Sequence, residues 1–276
     1  MFFGVIFHFF LPISSLQFDD AGLRFAENQD YIYLFYLWVG YLPYSLITHK
    51  LKSRTNEKSR IERLVYGLTN KKDAADVNQI LLVFAVKFFF IPLMYLGTLF
   101  YGKESYNYVV HFDTQVFNGK SIAEVFNFVF YPFIVYFAMF LALIVYLVGY
   151  IYESKKYKTT IISVESSWFG WIVTLICYAP FYPFLFYVFP NASQDFAFFK
   201  SQEITFIVRL VLTLILIVKT ITIFNLGLKS SNLTYRGIVT NGIYGWIRHP
   251  HYACKLMLWW IGLAPSAYVH PWLIGP

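Results

Sequence analysis

Charge is what this chain has little of. Only 13% of its 276 residues are Asp, Glu, Lys or Arg, about half the share of a soluble globular domain. That scarcity excludes a water-soluble fold, and disordered and collagen-like chains go with it. Cysteine is nearly absent as well. Cys177 and Cys254 each sit in an apolar stretch, which excludes a disulfide framework and a cysteine-based metal site. Acids are fewer than bases, 15 against 22, for a net charge of +7. The bases fall between apolar runs rather than in one patch. They therefore fit loops on an anionic membrane surface better than a nucleic-acid groove. There is no internal repeat and no stretch that reads as a soluble domain.

What is present is apolar and aromatic: 58% hydrophobic residues, with 31 Phe and 23 Tyr. About 18 consecutive apolar residues cross a bilayer as a helix. Six such runs stand out, at 31–48, 78–101, 124–152, 168–190, 205–226 and 251–270. The stretch 2–16 is shorter and Phe-rich. It lacks the basic start and small-residue cleavage site of a signal peptide, so it reads as a seventh span or an interfacial helix. The expected fold is all-α, a polytopic bundle of six or seven spans. Residues 1–225 form the bundle and 226–276 a motif loop with the final helix.

Lys and Arg in the loops orient the bundle. Lys50, Lys52, Arg54, Lys58, Arg60, Arg63, Lys71 and Lys72 lie in loop 49–77. Lys155, Lys156 and Lys158 lie in 153–167, and Lys229, Arg236 and Arg248 in 227–250. The alternate loops hold only Arg24, Lys103, Lys120 and Lys200. The richer set belongs in the cytoplasm, which places loop 227–250 on that side. The stretch 60–70 reads either as a short amphipathic helix on the membrane surface or as a solvated basic loop.

Four bases fall within or at the edge of spans: Lys87, Arg209, Lys219 and Lys255. Snorkelling to the interface explains Arg209 and Lys219. Lys87, nearer mid-span, and Lys255, one turn into the last helix, are functional candidates because burying an ionised group is costly. No span offers a clear carboxylate partner, which argues against a proton-relay transporter.

Residues 226–262 carry the chemistry. Gly237 and Gly242 break the chain after a span, and Asn241-Gly242 is a turn dipeptide. Arg248-His249-Pro250-His251-Tyr252 then leads directly into an apolar run. Proline favours the first position of a helix, so Pro250 is expected to start the last one. The N–H groups of residues 251–253 would then face the loop and bind an anion, with Arg248 and His249 adding charge and donors. The same pair also fits simple headgroup binding at a span end. His249 and His251, two apart, do not face each other on a helix, so no metal site is expected.

The stretch from Gly237 to Tyr252, GIVTNGIYGWIRHPHY, resembles the signature of the isoprenylcysteine carboxyl methyltransferase and phospholipid methyltransferase superfamily. Leu226-Gly227 and Ser230 resemble its leucine-glycine-x-x-serine stretch. The resemblance covers about 35 residues and implies an integral membrane enzyme that uses S-adenosylmethionine at its cytoplasmic face. It implies Arg248 and His249 as catalytic residues, and a cofactor site made of Gly242, Tyr244, Arg248, His249, Pro250 and Tyr252. The methyl acceptor would be a lipid or lipid-modified molecule reaching the site from the bilayer. Relatives continue into a further span and a cytoplasmic tail, whereas this sequence ends at Pro276. The resemblance therefore implies weak or absent turnover for the chain as it stands. Cys254-Lys255 also departs from the glycine-containing pair of relatives.

An NADPH-dependent steroid or sterol reductase is the alternative enzyme. Those proteins carry a similar Arg-His-Pro stretch, but with asparagine where this chain has His251 and Gly-Glu where it has Cys254-Lys255. A non-catalytic membrane protein is the third reading.

Overall fold

The computed structural model describes residues 60–70, 74–110, 119–178, 181 and 199–269. The expected spans 2–16 and 31–48 lie outside these residues. The chain divides into two units, 1–81 with 178–181, and 82–177 with 182–276.

In the first unit, α1 (Arg60–Asn70) precedes the opening turns of α2 (Ala74–Val110). Arg63 pairs with Asp76 at 3.4 Å, both side chains half exposed.

Among its described residues the second unit is mostly helical, with one pair of two-residue strands. It holds the rest of α2, then α3 (Ile122–Ile151), the strand β1 (Ser163–Val164) and α4 (Trp168–Leu175). α5 (Gln202–Leu226), the strand β2 (Thr234–Tyr235) and α6 (Pro250–Val269) complete it. Among the described residues three helices are long and apolar enough to cross a membrane: Asp76–Val110, Ile122–Ile151 and Gln202–Lys229. Their surfaces are inverted relative to a soluble protein, with Phe88, Ile207, Leu214 and Phe224 exposed. An apolar solvent satisfies such surfaces, and water does not. α6 reaches 20 residues but is not among the three. The expected run 168–190 begins with only an eight-residue helix, Trp168–Leu175, and most of residues 176–190 lie outside the described residues.

Polar devices set the geometry of this apolar unit. α3 opens with a capping box, Ser121 with Glu124, and then widens into a π-helical turn at Phe126–Phe130. There the Tyr131 N–H reaches back to the Phe126 carbonyl. The next N–H along would be that of residue 132, which is proline and has none. The Asn127 carbonyl is left without an intrahelical donor, and the Arg209 guanidinium of α5 supplies one. Arg209 is only 3% exposed and also lies over the Tyr131 ring, 4.9 Å from its centroid. Snorkelling therefore does not describe Arg209. It is a buried cross-link, satisfied by a carbonyl and a π face. Around it, Tyr131 and Val135 pack on Leu212 and Leu216.

Lys87 is likewise not an isolated charge in mid-span. It pairs at 2.6 Å with Glu153, two residues past the end of α3, and the other Glu153 oxygen accepts the Ile161 N–H. Glu153 lies on a loop beyond the apolar run, so no carboxylate within a span foretells this pair. Lys219 points its Nζ at the Met139 sulfur of α3, 3.9 Å away, rather than only toward an interface.

Candidate functional site

The motif loop is built onto the end of α3. Arg236, 3% exposed, donates through one guanidinium nitrogen to the carbonyls of Gly149, Leu228 and Thr159 at 2.7, 3.1 and 3.0 Å. A helix C-terminus leaves carbonyls without donors, and a cation there is favoured by the helix dipole. Gly149 has no room for a side chain: an added Cβ would lie 2.9 Å from the Ser230 carbonyl oxygen and 3.2 Å from that of Leu228. The Tyr150 hydroxyl accepts the Asn232 N–H at 2.6 Å. β2 pairs antiparallel with β1, Ser163 opposite Tyr235. Loops 153–167 and 227–250 are thereby joined at one end of the helices. This strand pair is the β structure that the expected all-α fold did not contain.

From this base the chain turns into the motif. Gly242 takes φ +60°, and its missing Cβ leaves space for the Asn225 side chain at the end of α5. A 3-10 turn, Gly242–Gly245, carries Tyr244 inward. The Tyr244 hydroxyl is buried and has no hydrogen-bond partner in the described residues. Burial pushes its pKa up to about 12. Trp246, Ile247, Arg248 and His249 are all exposed.

α6 begins at Pro250, as the sequence rule for proline requires. The His249 carbonyl accepts the Ala253 N–H at 3.1 Å and closes the first turn. That corrects the expected donor set. Residue 253 is taken and residue 250 has no N–H, so the open donors are those of His251 and Tyr252. Tyr252 is 60% exposed, with its ring 6.3 Å from that of His249 and 6.0 Å from that of His251. Arg248, His249 and Tyr252 are thus all exposed at the start of α6. Gly242 lies against Asn225 of α5, and the Tyr244 hydroxyl and Pro250 are buried.

His251 is held by its side chain. Thr222 Oγ1 donates its one proton to the Lys219 carbonyl at 2.6 Å, so at 3.3 Å it accepts from His251 Nδ1. His251 Nε2 then faces the Tyr146 hydroxyl of α3 at 3.5 Å. The ring ties α6 to α5 and α3, which fits a packing histidine and explains how the first turn of α6 is fixed. Sequence spacing could not find Thr222, Tyr146 or Asn225, which lie far away along the chain. Among the described residues no group of His, Cys, Asp and Glu is arranged to hold a metal ion.

No protein-family model matches the chain, and no curated protein or solved structure matches it.

Proposed function

We propose that the protein is an integral membrane methyltransferase dependent on S-adenosylmethionine. In this reading it is a bundle of six or seven spans with the motif loop at the cytoplasmic face and a lipid-borne methyl acceptor. The observation that carries the reading is the start of α6. Pro250 opens the helix, two N–H groups stay open, and Arg248, His249 and Tyr252 are exposed at the same helix start.

The donor chemistry fits the cofactor. Its methionine carboxylate is an anion suited to the His251 and Tyr252 N–H groups, the helix dipole and the Arg248 guanidinium. Its adenine would be met by aromatic faces at His249 and Tyr252. When bound, S-adenosylmethionine supplies a methyl group on a sulfonium. The work left to the chain is orientation and exclusion of water, with no strong base required for an acceptor that is already ionised. His251, held from two sides, keeps the amide donors aimed. The Tyr244 hydroxyl is a buried polar atom free to take a ligand hydrogen bond.

Equilibrium binding of radiolabelled S-adenosylmethionine to the full chain in lipid nanodiscs tests the reading. Saturable binding is expected, reduced about tenfold or more by Arg248→Ala, in keeping with loss of a charge-assisted bond. Thermal stability should be unchanged, because Arg248 is exposed. Absence of saturable binding, or saturable binding of NADPH instead, would overturn it.

A further inference from the structure

The helix α1 presents the wrong face for a protein in water. Apolar residues recur at positions 61, 64, 65 and 68, the i, i+3, i+4, i+7 spacing of one helical stripe. Glu62, Arg63, Tyr66 and Thr69 occupy the other side. In a soluble protein the apolar stripe turns inward. Here Arg63 on the polar side tethers the helix to Asp76 at the start of α2, and the stripe exposes Val65 at 54% and Leu68 at 61%, with Leu64 half-buried. Gly67, the small residue of the polar side, is buried. The sequence around the helix is basic, with Lys50, Lys52, Arg54 and Lys58 before it, Arg60 and Arg63 within it, and Lys71 and Lys72 after it.

We propose that α1 is an interfacial helix whose apolar stripe inserts into an anionic lipid leaflet. Two observations choose this occupant. Charge complementarity is the first, since loop 49–77 carries eight bases against four acids and so suits a negative surface. The second is the combination of an outward apolar stripe and basic flanks, the pattern of helices that lie in the plane of a membrane. This role of α1 is independent of the methyltransferase reading and survives its failure.

The test places an environment-sensitive fluorophore at one of two helix positions, Leu68→Cys on the stripe or Tyr66→Cys on the far side. The full chain is used, with Cys177→Ser to remove the exposed thiol; Cys254 is buried and stays. The labelled proteins are reconstituted into vesicles of phosphatidylglycerol with phosphatidylcholine, containing a phospholipid with a nitroxide near its headgroup. The label at 68 should be quenched about threefold or more over the label at 66 and should be shielded from aqueous acrylamide. The contrast should shrink by about half or more in pure phosphatidylcholine or in high salt. Equal acrylamide quenching at both positions would overturn the proposal in favour of a solvated helix. Shielding of position 68 from both quenchers would overturn it in favour of a protein cover, a second copy of the chain included. An undiminished contrast in pure phosphatidylcholine would overturn the anionic specificity.

Discussion

At the scale of single residues, the informative groups are polar atoms in apolar surroundings. The Tyr244 hydroxyl is buried without a partner among the described residues, and such an atom costs on the order of 1–3 kcal/mol. Tyr244→Phe should therefore leave thermal stability at neutral pH unchanged or raised by about 1 kcal/mol. The alkaline limb tests the same environment. With the folded pKa raised to about 12 from the ordinary 10.0, the unfolded chain loses its proton first. The contribution of Tyr244 is intact below pH 10 and is lost as pH rises toward about 12. The difference between the melting curves of the two proteins should move in favour of the phenylalanine variant across that window. A loss of stability on Tyr244→Phe at neutral pH would show that the hydroxyl has a partner. Cofactor affinity gives the opposite readout: if Tyr244 serves the proposed site, the stable variant binds S-adenosylmethionine less tightly.

At the scale of elements, the end of α3 is the platform on which the motif loop is assembled. Arg236, Tyr150 and the bare Gly149 backbone hold residues 228–236 against it. Gly149→Ala forces a methyl group to within 2.9 Å of the Ser230 carbonyl oxygen, and that backbone has to move. The expected cost is about 1–3 kcal/mol, as for other overpacked sites. Differential scanning of the variant in nanodiscs should show the lower melting temperature, and limited proteolysis should cut within 227–250 sooner than in the parent. Unchanged proteolysis would show that the loop is held by other means. The start of α6 was legible from sequence because proline acts through its own φ and its own missing N–H, both local. The closing bond from Ala253 to His249 was missed because the expectation counted amide groups without assigning the carbonyl of the capping residue. The π-helical turn in α3 was not legible at all. Its trace is Pro132 within an apolar run together with an arginine on another helix, and only packing brings those two to the same carbonyl.

At the scale of the whole molecule, helix register is set by a few long-range ionic and polar links. Lys87 and Glu153 are the sharpest case, at 2.6 Å with the carboxylate side chain 11% exposed. The link holds α2 so that Lys87 meets the end of α3. Residues 88–110 then remain, about 35 Å of helix and enough to cross a hydrocarbon core. A double-mutant cycle with Lys87→Met and Glu153→Gln should give a coupling of about 1–3 kcal/mol in unfolding. Each single variant should cost more than the pair, since it takes the ion partner from a charge that is mostly out of water. Additive effects would show that the two side chains do not set the register together.

Composition and short-range rules were enough to fix the kind of solvent this chain needs and the places where helices begin. Low charge, long apolar runs and proline act through averages or through the nearest few residues. The helical content, the three membrane-compatible helices and the Pro250 start all rest on them. Which polar groups are satisfied, and by whom, was settled only by packing. Packing gave Arg209 a carbonyl, Lys87 a loop carboxylate and His251 two hydroxyl partners, and it left the Tyr244 hydroxyl with none among the described residues. In an apolar medium each buried donor or acceptor must find its partner within about 3 Å. Where those partners are distant in the chain, only the packing of the helices can bring them within that reach.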